Sequence, residues 1–313
     1  MNIIPDSPIE LIEDFLADLT VNKGSRRQYY FNLKRFYRYL RDQAIDHRTI
    51  RRRHIIRYIN SLRDEQKSTL TVASYIQTIK LLMRWMVQNN YIEVNPAADI
   101  RIAKEYETWR KSALTRPQVE KLLDSINTTR ITGMRNKAII FLMITTGIRL
   151  IEVQRLKYKD LDHHKQYGKV LHIQRKGKQI KDIIPLSERA FEIIQEYLVR
   201  RPHFTNDSPL FAAHSHSNLS NAELSTTQIS REVKKYLQLI GLNSKLYTAH
   251  SLRHTAASLA LDVNNAKADD LQNFLGHTRY TTSEIYIRQQ KQRKLFERRI
   301  TDDIANSFAS SIL

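Results

Sequence analysis

From residue 7 to residue 90, apolar side chains recur at intervals of three and four, the spacing of one helix face. Four amphipathic helices are predicted. The first opens at Ser7, with Pro8 in the first turn where its missing N–H costs nothing, and carries Ile9, Ile12, Phe15, Leu16 and Leu19. The second follows Gly24 and Ser25 and carries Tyr29, Leu33, Phe36, Tyr37 and Leu40. The third spans about 49–63; the fourth spans about 68–89, with Val72, Ile76, Ile79, Leu82, Met83 and Met86 on one face. A helix with one apolar stripe must cover it with other helices, so residues 1–92 are expected to form a helical domain.

Charge is uneven on these helices. Arg26, Arg27, Lys34, Arg35, Arg38 and Arg41 crowd the second, and Arg48, Arg51, Arg52, Arg53, Arg57 and Arg63 crowd the third. Tyr29, Tyr30, Tyr37, Tyr39 and Tyr58 lie among them. Arginine grips phosphate bidentately, and interleaved tyrosines suit sugars and bases. The chain holds 51 Lys and Arg against 32 Asp and Glu, a net charge of +19. That surplus suits a polyanionic partner, and with the arginine and tyrosine pattern it favours DNA contact; the alternative is a solvated basic surface.

Composition removes several classes. With no cysteine there are no disulfides, thiolate metal sites or cysteine nucleophiles. The longest clean apolar run, 138–144, is too short to span a bilayer, and MNIIPDSPIE lacks the features of a signal peptide. A cytoplasmic location with no membrane partner is expected.

Residues 93–112 are expected to be a linker, because Asn95-Pro96 breaks the pattern and 101–111 is charged without a period. A second domain follows over 113–290. Helices are predicted at about 116–126 and 135–146, the latter ended by Gly147 and followed at once by another from Arg149. Runs at 170–173 and 180–184 flank Arg175-Lys176-Gly177-Lys178, which predicts a small antiparallel sheet with a hairpin tip. Helices return at about 187–200, 226–240, 250–261 and 267–275, and Thr281-Thr282-Ser283-Glu284 is a capping box for a last one. A tail over 291–313 carries Leu295, Ile300, Ile304 and Phe308 near helical spacing, suited to packing on a neighbouring protomer.

Several residues in this domain carry chemistry. Arg149, at a helix start after a glycine, would aim its guanidinium and backbone N–H groups at one anion, or be a surface group. His250 and Arg253 are three apart, one able to move a proton near neutral pH and the other to hold phosphate. His250 and His254 are four apart, a zinc-ligand spacing, though no HExxH glutamate accompanies them; His254 reads alternatively as a buried structural histidine. Tyr286, nine residues after His277, is a nucleophile if its phenol is held in line and deprotonated, and otherwise a core aromatic. Lys176 could give a proton to a leaving group.

Taken together, these segments resemble the tyrosine recombinase (phage integrase) family. Thr146-Gly147-Ile148-Arg149-Leu150-Ile151-Glu152 is similar to its first box. Arg175-Lys176-Gly177 with Ile183-Ile184-Pro185-Leu186 is similar to its hairpin lysine. Thr248-Ala249-His250-Ser251-Leu252-Arg253-His254-Thr255 is similar to its His-x-x-Arg box, and Leu275-Gly276-His277 with 281–286 to its last boxes. Two departures stand out. Arg175 occupies a place usually held by glycine, and the return to Pro185 is a residue long, which leaves Lys178 and Lys181 as alternatives to Lys176.

The resemblance implies a mainly α fold with a small antiparallel β-sheet: a helical, SAM-like core DNA-binding domain followed by an α+β catalytic domain. It implies cleavage by Tyr286 through a 3′-phosphotyrosine, with Arg149 and Arg253 on the non-bridging oxygens. Lys176 would protonate the 5′-oxygen, His250 would handle the tyrosine proton, and His277 would bond the phosphate. Glu152 would brace its own helix. No metal or other cofactor is implied. The partners implied are two recombination sites on DNA and three further protomers in a tetramer. The family clamps duplex DNA between its two domains. Rival readings are a DNA-binding module that keeps only the fold, a metal-dependent nuclease, and a type IB topoisomerase, which the compact layout suits less. The start almost directly at the helical domain fits a simple mobile-element integrase or a Xer-like resolvase of chromosome dimers, without an arm-binding domain.

Overall fold

The structure, a computed structural model, describes residues 3–101, 112–175, 178–201, 203–214, 222–264, 267–276, 284, 286–288 and 290. The chain divides into two compact units, Met1–Thr108 and Trp109–Leu313.

In the first unit the apolar stripes become four helices: α1 (Pro8–Ala17), α2 (Lys23–Asp42), α3 (Arg52–Asp64) and α4 (Thr69–Gln88). Side chains cap three of them by accepting backbone N–H groups: Ser7 from Glu10, Asn22 from Ser25 and Ser68 from Thr71. The stripe of α1 differs from expectation. Leu11, Ile12, Phe15 and Leu16 are buried while Ile9 is 47% exposed. Leu11, absent from the expected stripe, takes the core place that Ile9 was expected to hold. Helix α3 starts at Arg52 rather than near Thr49, because Asp46 caps a separate 3₁₀ turn over His47–Thr49. The core joins Phe15, Leu33, Phe36, Ile55, Leu62, Ile79 and Leu82, each at most 1% exposed. Buried Asn32 donates to Thr78 Oγ1 at 2.8 Å, pinning α2 to α4. Ala97 and Ile100, in the stretch expected to be a linker, are buried in this core.

The second unit contains α5 (Arg116–Asp124), α6 (Ile131–Thr146), α7 (Leu150–Arg155), β1 (Leu161–His164), β2 (Gly168–Ile173), β3 (Asp182–Pro185), α8 (Glu188–Val199), α9 (Thr226–Leu239), α10 (Ala249–Asn264) and α11 (Ala268–Leu275). Helix α6 is apolar almost all round, as a central helix must be. It buries Ala138, Ile139, Ile140, Leu142, Met143 and Ile144 and packs on α8 and α10. The sheet is antiparallel in the order β1-β2-β3, with Leu161 opposite Leu171 and Ile173 opposite Asp182. The sequence Leu161-Asp162-His163-His164 has no alternation, so β1 was not foreseen as a strand of its own. Ile180, expected to begin the third strand, is 83% exposed and lies outside it. The fold class is thus mainly α with one small antiparallel sheet. Among the described residues no helix is long and apolar enough to cross a membrane. The capping box at 281–284, apart from Glu284, and the whole 291–313 tail lie outside the described residues.

Candidate active site

The site is built where α6 ends. Gly147 takes φ +64°, and its N–H closes on Met143 O at 3.0 Å. A side chain there would also collide: a Cβ would sit 2.6 Å from Leu275 Cδ2 and 3.3 Å from Ala256 Cβ. Glycine therefore meets two demands, left-handed backbone and close approach. Two residues on, Arg149 caps α7. Glu152, fully buried, accepts the Arg149 backbone N–H at 2.7 Å and pairs with Arg149 Nη1 at 2.9 Å. Glu152 thus braces its own helix and orients the arginine, whose side chain remains 31% exposed.

The N-terminal part of α10 supplies the next groups. His250 is exposed, whereas Arg253 and His254 are 2% and 5% exposed. Burying a guanidinium without partners is costly. Arg253 meets this by donating from Nη1 to Gly147 O and from Nη2 to Leu275 O, the latter at 2.8 Å. Both acceptors lie at helix C-terminal ends, where unpaired carbonyls and the dipole favour a cation. Burial, and secondarily the charge of Arg149, lowers the Arg253 pKa to about 10, so it is still charged near neutrality. Arg149, His250 and Arg253 line one cavity of about 180 Å³ with Ile148, Leu150 and Thr248.

Arg175, the residue in the glycine position, is buried beneath this region. Its Nε donates to Asp182 Oδ2 at 2.8 Å and its Nη1 to Leu275 O at 2.8 Å, with Glu152 Oε2 3.9 Å away. The two alternative hairpin lysines are engaged elsewhere: Lys178 pairs with Asp182 at 2.8 Å, and Lys181 pairs with Asp160. Lys176 and His277 lie outside the described residues.

Tyr286 sits in a small apolar cluster with Ala257, Leu261, Leu271 and Leu275. Its phenol oxygen is 2.8 Å from His254 Nδ1. Burial pushes the phenol up to about 12, while Arg253 and Arg149 pull the other way. The His250 and His254 rings meet edge to face at 4.7 Å. Among the described residues no group of three or more His, Asp or Glu side chains is placed to hold a metal ion.

Of six expected site residues, three line one cavity, and Tyr286 meets α10, which carries two of them, through its contact with His254. Sequence reasoning missed the part played by Arg175, whose signal was its replacement of a glycine. His254 is the buried, hydrogen-bonded histidine of its alternative reading, with a partner, Tyr286, that the sequence did not point to.

Comparison with known proteins bears on this geometry. The profile described as "Phage integrase family" matches residues 112–293, and "Phage integrase, N-terminal SAM-like domain" matches 12–90. Tyrosine recombinase XerD of Listeria innocua serovar 6a is 31% identical over 297 residues, covering 91% of this chain and 95% of that one. A crystal structure of XerH site-specific recombinase bound to palindromic difH substrate aligns with TM-score 0.76 at 21% identity, over 95% of this chain and 85% of that one. A lambda integrase tetramer bound to a Holliday junction aligns with TM-score 0.70 at 21% identity, over 89% of this chain and 76% of that one. At such identity the two solved structures bear on the fold alone.

Proposed function

The chain belongs to the phage integrase family of tyrosine recombinases, and from that membership we propose that it exchanges strands between two specific DNA sites through a 3′-phosphotyrosine on Tyr286. The observation that carries the reading is the cavity shared by Arg149, His250 and Arg253, in which two guanidinium groups are fixed by protein partners beforehand. Donors fixed where charge develops lower the barrier without reorganisation.

In this mechanism the Tyr286 oxygen attacks the scissile phosphorus and the P–O5′ bond breaks. The phenol proton passes to His250. The departing 5′-oxygen takes a proton from Lys176 and leaves as a hydroxyl. Arg149 and Arg253 hold the non-bridging oxygens, and His277 adds a hydrogen bond to the phosphate. Attack by a 5′-hydroxyl of the second DNA reverses these steps and frees the tyrosine, so strands are exchanged without net hydrolysis. Two arginines and a lysine supply the positive charge, so the reaction runs without a metal ion. The bond from Tyr286 to His254 must be exchanged for one that leads to the phosphate, because a phenol titrating near 12 is a poor nucleophile while it stays buried.

Four protomers on two DNA segments would carry out the exchange, the 291–313 tail packing between neighbours. The XerD relative favours resolution of chromosome dimers over integration of a mobile element. The test is cleavage of a nicked site duplex in excess EDTA. Covalent protein–DNA adducts are expected to form at the same rate as with added Mg²⁺. Cleavage without adducts that appears only with metal would support the nuclease reading, and DNA binding without cleavage a non-catalytic module.

A further inference from the structure

We propose that Arg175 is a positioning residue for cleavage: it locks the open end of the β2–β3 hairpin to the Leu275–Gly276 turn, and the proton transfer assigned to the next residue in sequence, Lys176, depends on that lock. The inference rests on the reading of Lys176 as the acid for the leaving 5′-oxygen.

The argument starts from burial. Arg175 is only 4% exposed, so its charge must be matched inside the protein. Its three partners come from separate parts of the unit: Asp182 at the start of β3, the Leu275 carbonyl at the end of α11, and Glu152 on α7. Each already has another cationic partner. Lys178 bonds Asp182 at 2.8 Å, Arg253 bonds Leu275 O at 2.8 Å, and Arg149 bonds Glu152 at 2.9 Å. Charge matching of the three acceptors is therefore not what Arg175 adds. What it adds is the link: its Nε and Nη1, separate nitrogens on one rigid plane, reach Asp182 and the Leu275 carbonyl at once, a span that the single nitrogen of an ammonium lacks.

The seat is shaped for it. Gly276 takes φ +60°, and a Cβ there would lie 2.2 Å from Arg175 Cζ, so the guanidinium lies against bare backbone. Asp182 pairs with Ile173 in the ladder, two residues before Arg175. The side chain is thus rooted where the hairpin leaves the sheet. A glycine at 175, the usual residue in the family, could make none of these bonds.

The test measures single-turnover cleavage of nicked duplexes with either oxygen or sulfur at the scissile 5′-bridging position. A thiolate leaves without a proton, because thiol pKa values are about 8.5. Arg175→Ala is expected to cut the oxygen substrate about 10²-fold more slowly than wild type, the low end of what a general acid contributes. It should keep its DNA affinity within a few-fold and recover most of its rate on the sulfur substrate. Lys176→Ala should recover in the same way, and Arg149→Ala should not. Arg175→Lys keeps the charge and most of the volume, and guards against simple misfolding. It should melt close to wild type yet show the same slow oxygen cleavage and the same sulfur recovery. An Arg175→Lys rate equal to wild type, or a loss equal on both substrates while Lys176→Ala recovers, would overturn this inference alone. If Lys176→Ala itself fails to recover, the acid reading falls and this inference falls with it.

Discussion

Arginine does opposite work in the two units of this chain. In the first unit Arg26, Arg27, Arg38, Arg41, Arg51, Arg52, Arg53, Arg57 and Arg63 all stand exposed on the helices. In the second, Arg135, Arg175, Arg201 and Arg253 are each at most 4% exposed, held by carbonyls and acidic or amide side chains. An exposed cation contributes to the field that draws in a polyanion and is one of many. A buried cation is fixed at one point, and its neighbours are arranged around it. The first kind should be replaceable and additive, the second neither.

The largest expected difference is at Arg253. Arg253→Ala should reduce adduct formation about 10³-fold, the scale for removing a preorganised donor. It should also lower stability by about 1–3 kcal/mol, because Gly147 O loses its side-chain donor. Arg253→Lys should rescue neither, since an ammonium cannot span both carbonyls. Adduct yield on gels and thermal melting measure the two effects, and a fully active Arg253→Lys would break the contrast.

A second prediction concerns the polar interior around Arg135 and Arg201. The Tyr197 hydroxyl accepts the Ala212 N–H at 3.1 Å and shares a hydrogen bond with His214 Nε2 at 2.9 Å. Burial, then the charges of Arg135 and Arg201, lower the His214 pKa from 6.5 to about 4. A neutral imidazole is favoured by folding, so between pH 6.5 and 4 the unfolded chain binds more protons. Stability is then full above pH 6.5 and falls as pH drops toward 4, by up to about 2 kcal/mol after allowing for partial exposure. Denaturant titrations of wild type and His214→Gln at pH 7 and 4.5 should differ by that slope. Equal slopes would mean that His214 is not kept neutral.

The smallest effects belong to the exposed set. Arg38→Ala and Arg52→Ala should each weaken DNA binding less than tenfold, reduce the salt slope by about 1, and do so equally for specific and random duplexes. Stability should move by no more than about 0.5 kcal/mol. A loss of sequence preference in either variant would show base contact and blur the division.

The same contrast explains what was legible in the sequence. Helix α4 was expected at 68–89 and spans Thr69–Gln88, because apolar period and a serine cap are local signals. The exposed arginines were equally legible as a basic face. The interleaved tyrosines were less so: Tyr58 is 1% exposed and fills the core rather than facing DNA, and Tyr37, counted both on the apolar stripe and among the basic residues, is 6% exposed and keeps to the stripe. An amphipathic stripe with tyrosine at its edge does not reveal which side of the edge the ring takes. In the second unit His250 and Arg253 were legible as a pair through spacing, since i, i+3 on a helix fixes a shared side, and Arg149 through its place at a helix start after a glycine; that the three share a cavity was not. The role of Arg175 and the partner of His254 were not, because Leu275 and Tyr286 lie 100 and 32 residues away and only the tertiary fold joins them.

The most direct measurement is the site of DNA attachment itself. Wild-type protein would be trapped on a nicked duplex in EDTA, digested with protease, and the DNA-linked peptide identified by mass spectrometry. The predicted result is a single phosphotyrosyl link at Tyr286, absent in Tyr286→Phe, which still binds the duplex with wild-type affinity. A link at any other residue, or adducts persisting in Tyr286→Phe, would contradict the reading of this buried phenol as the nucleophile.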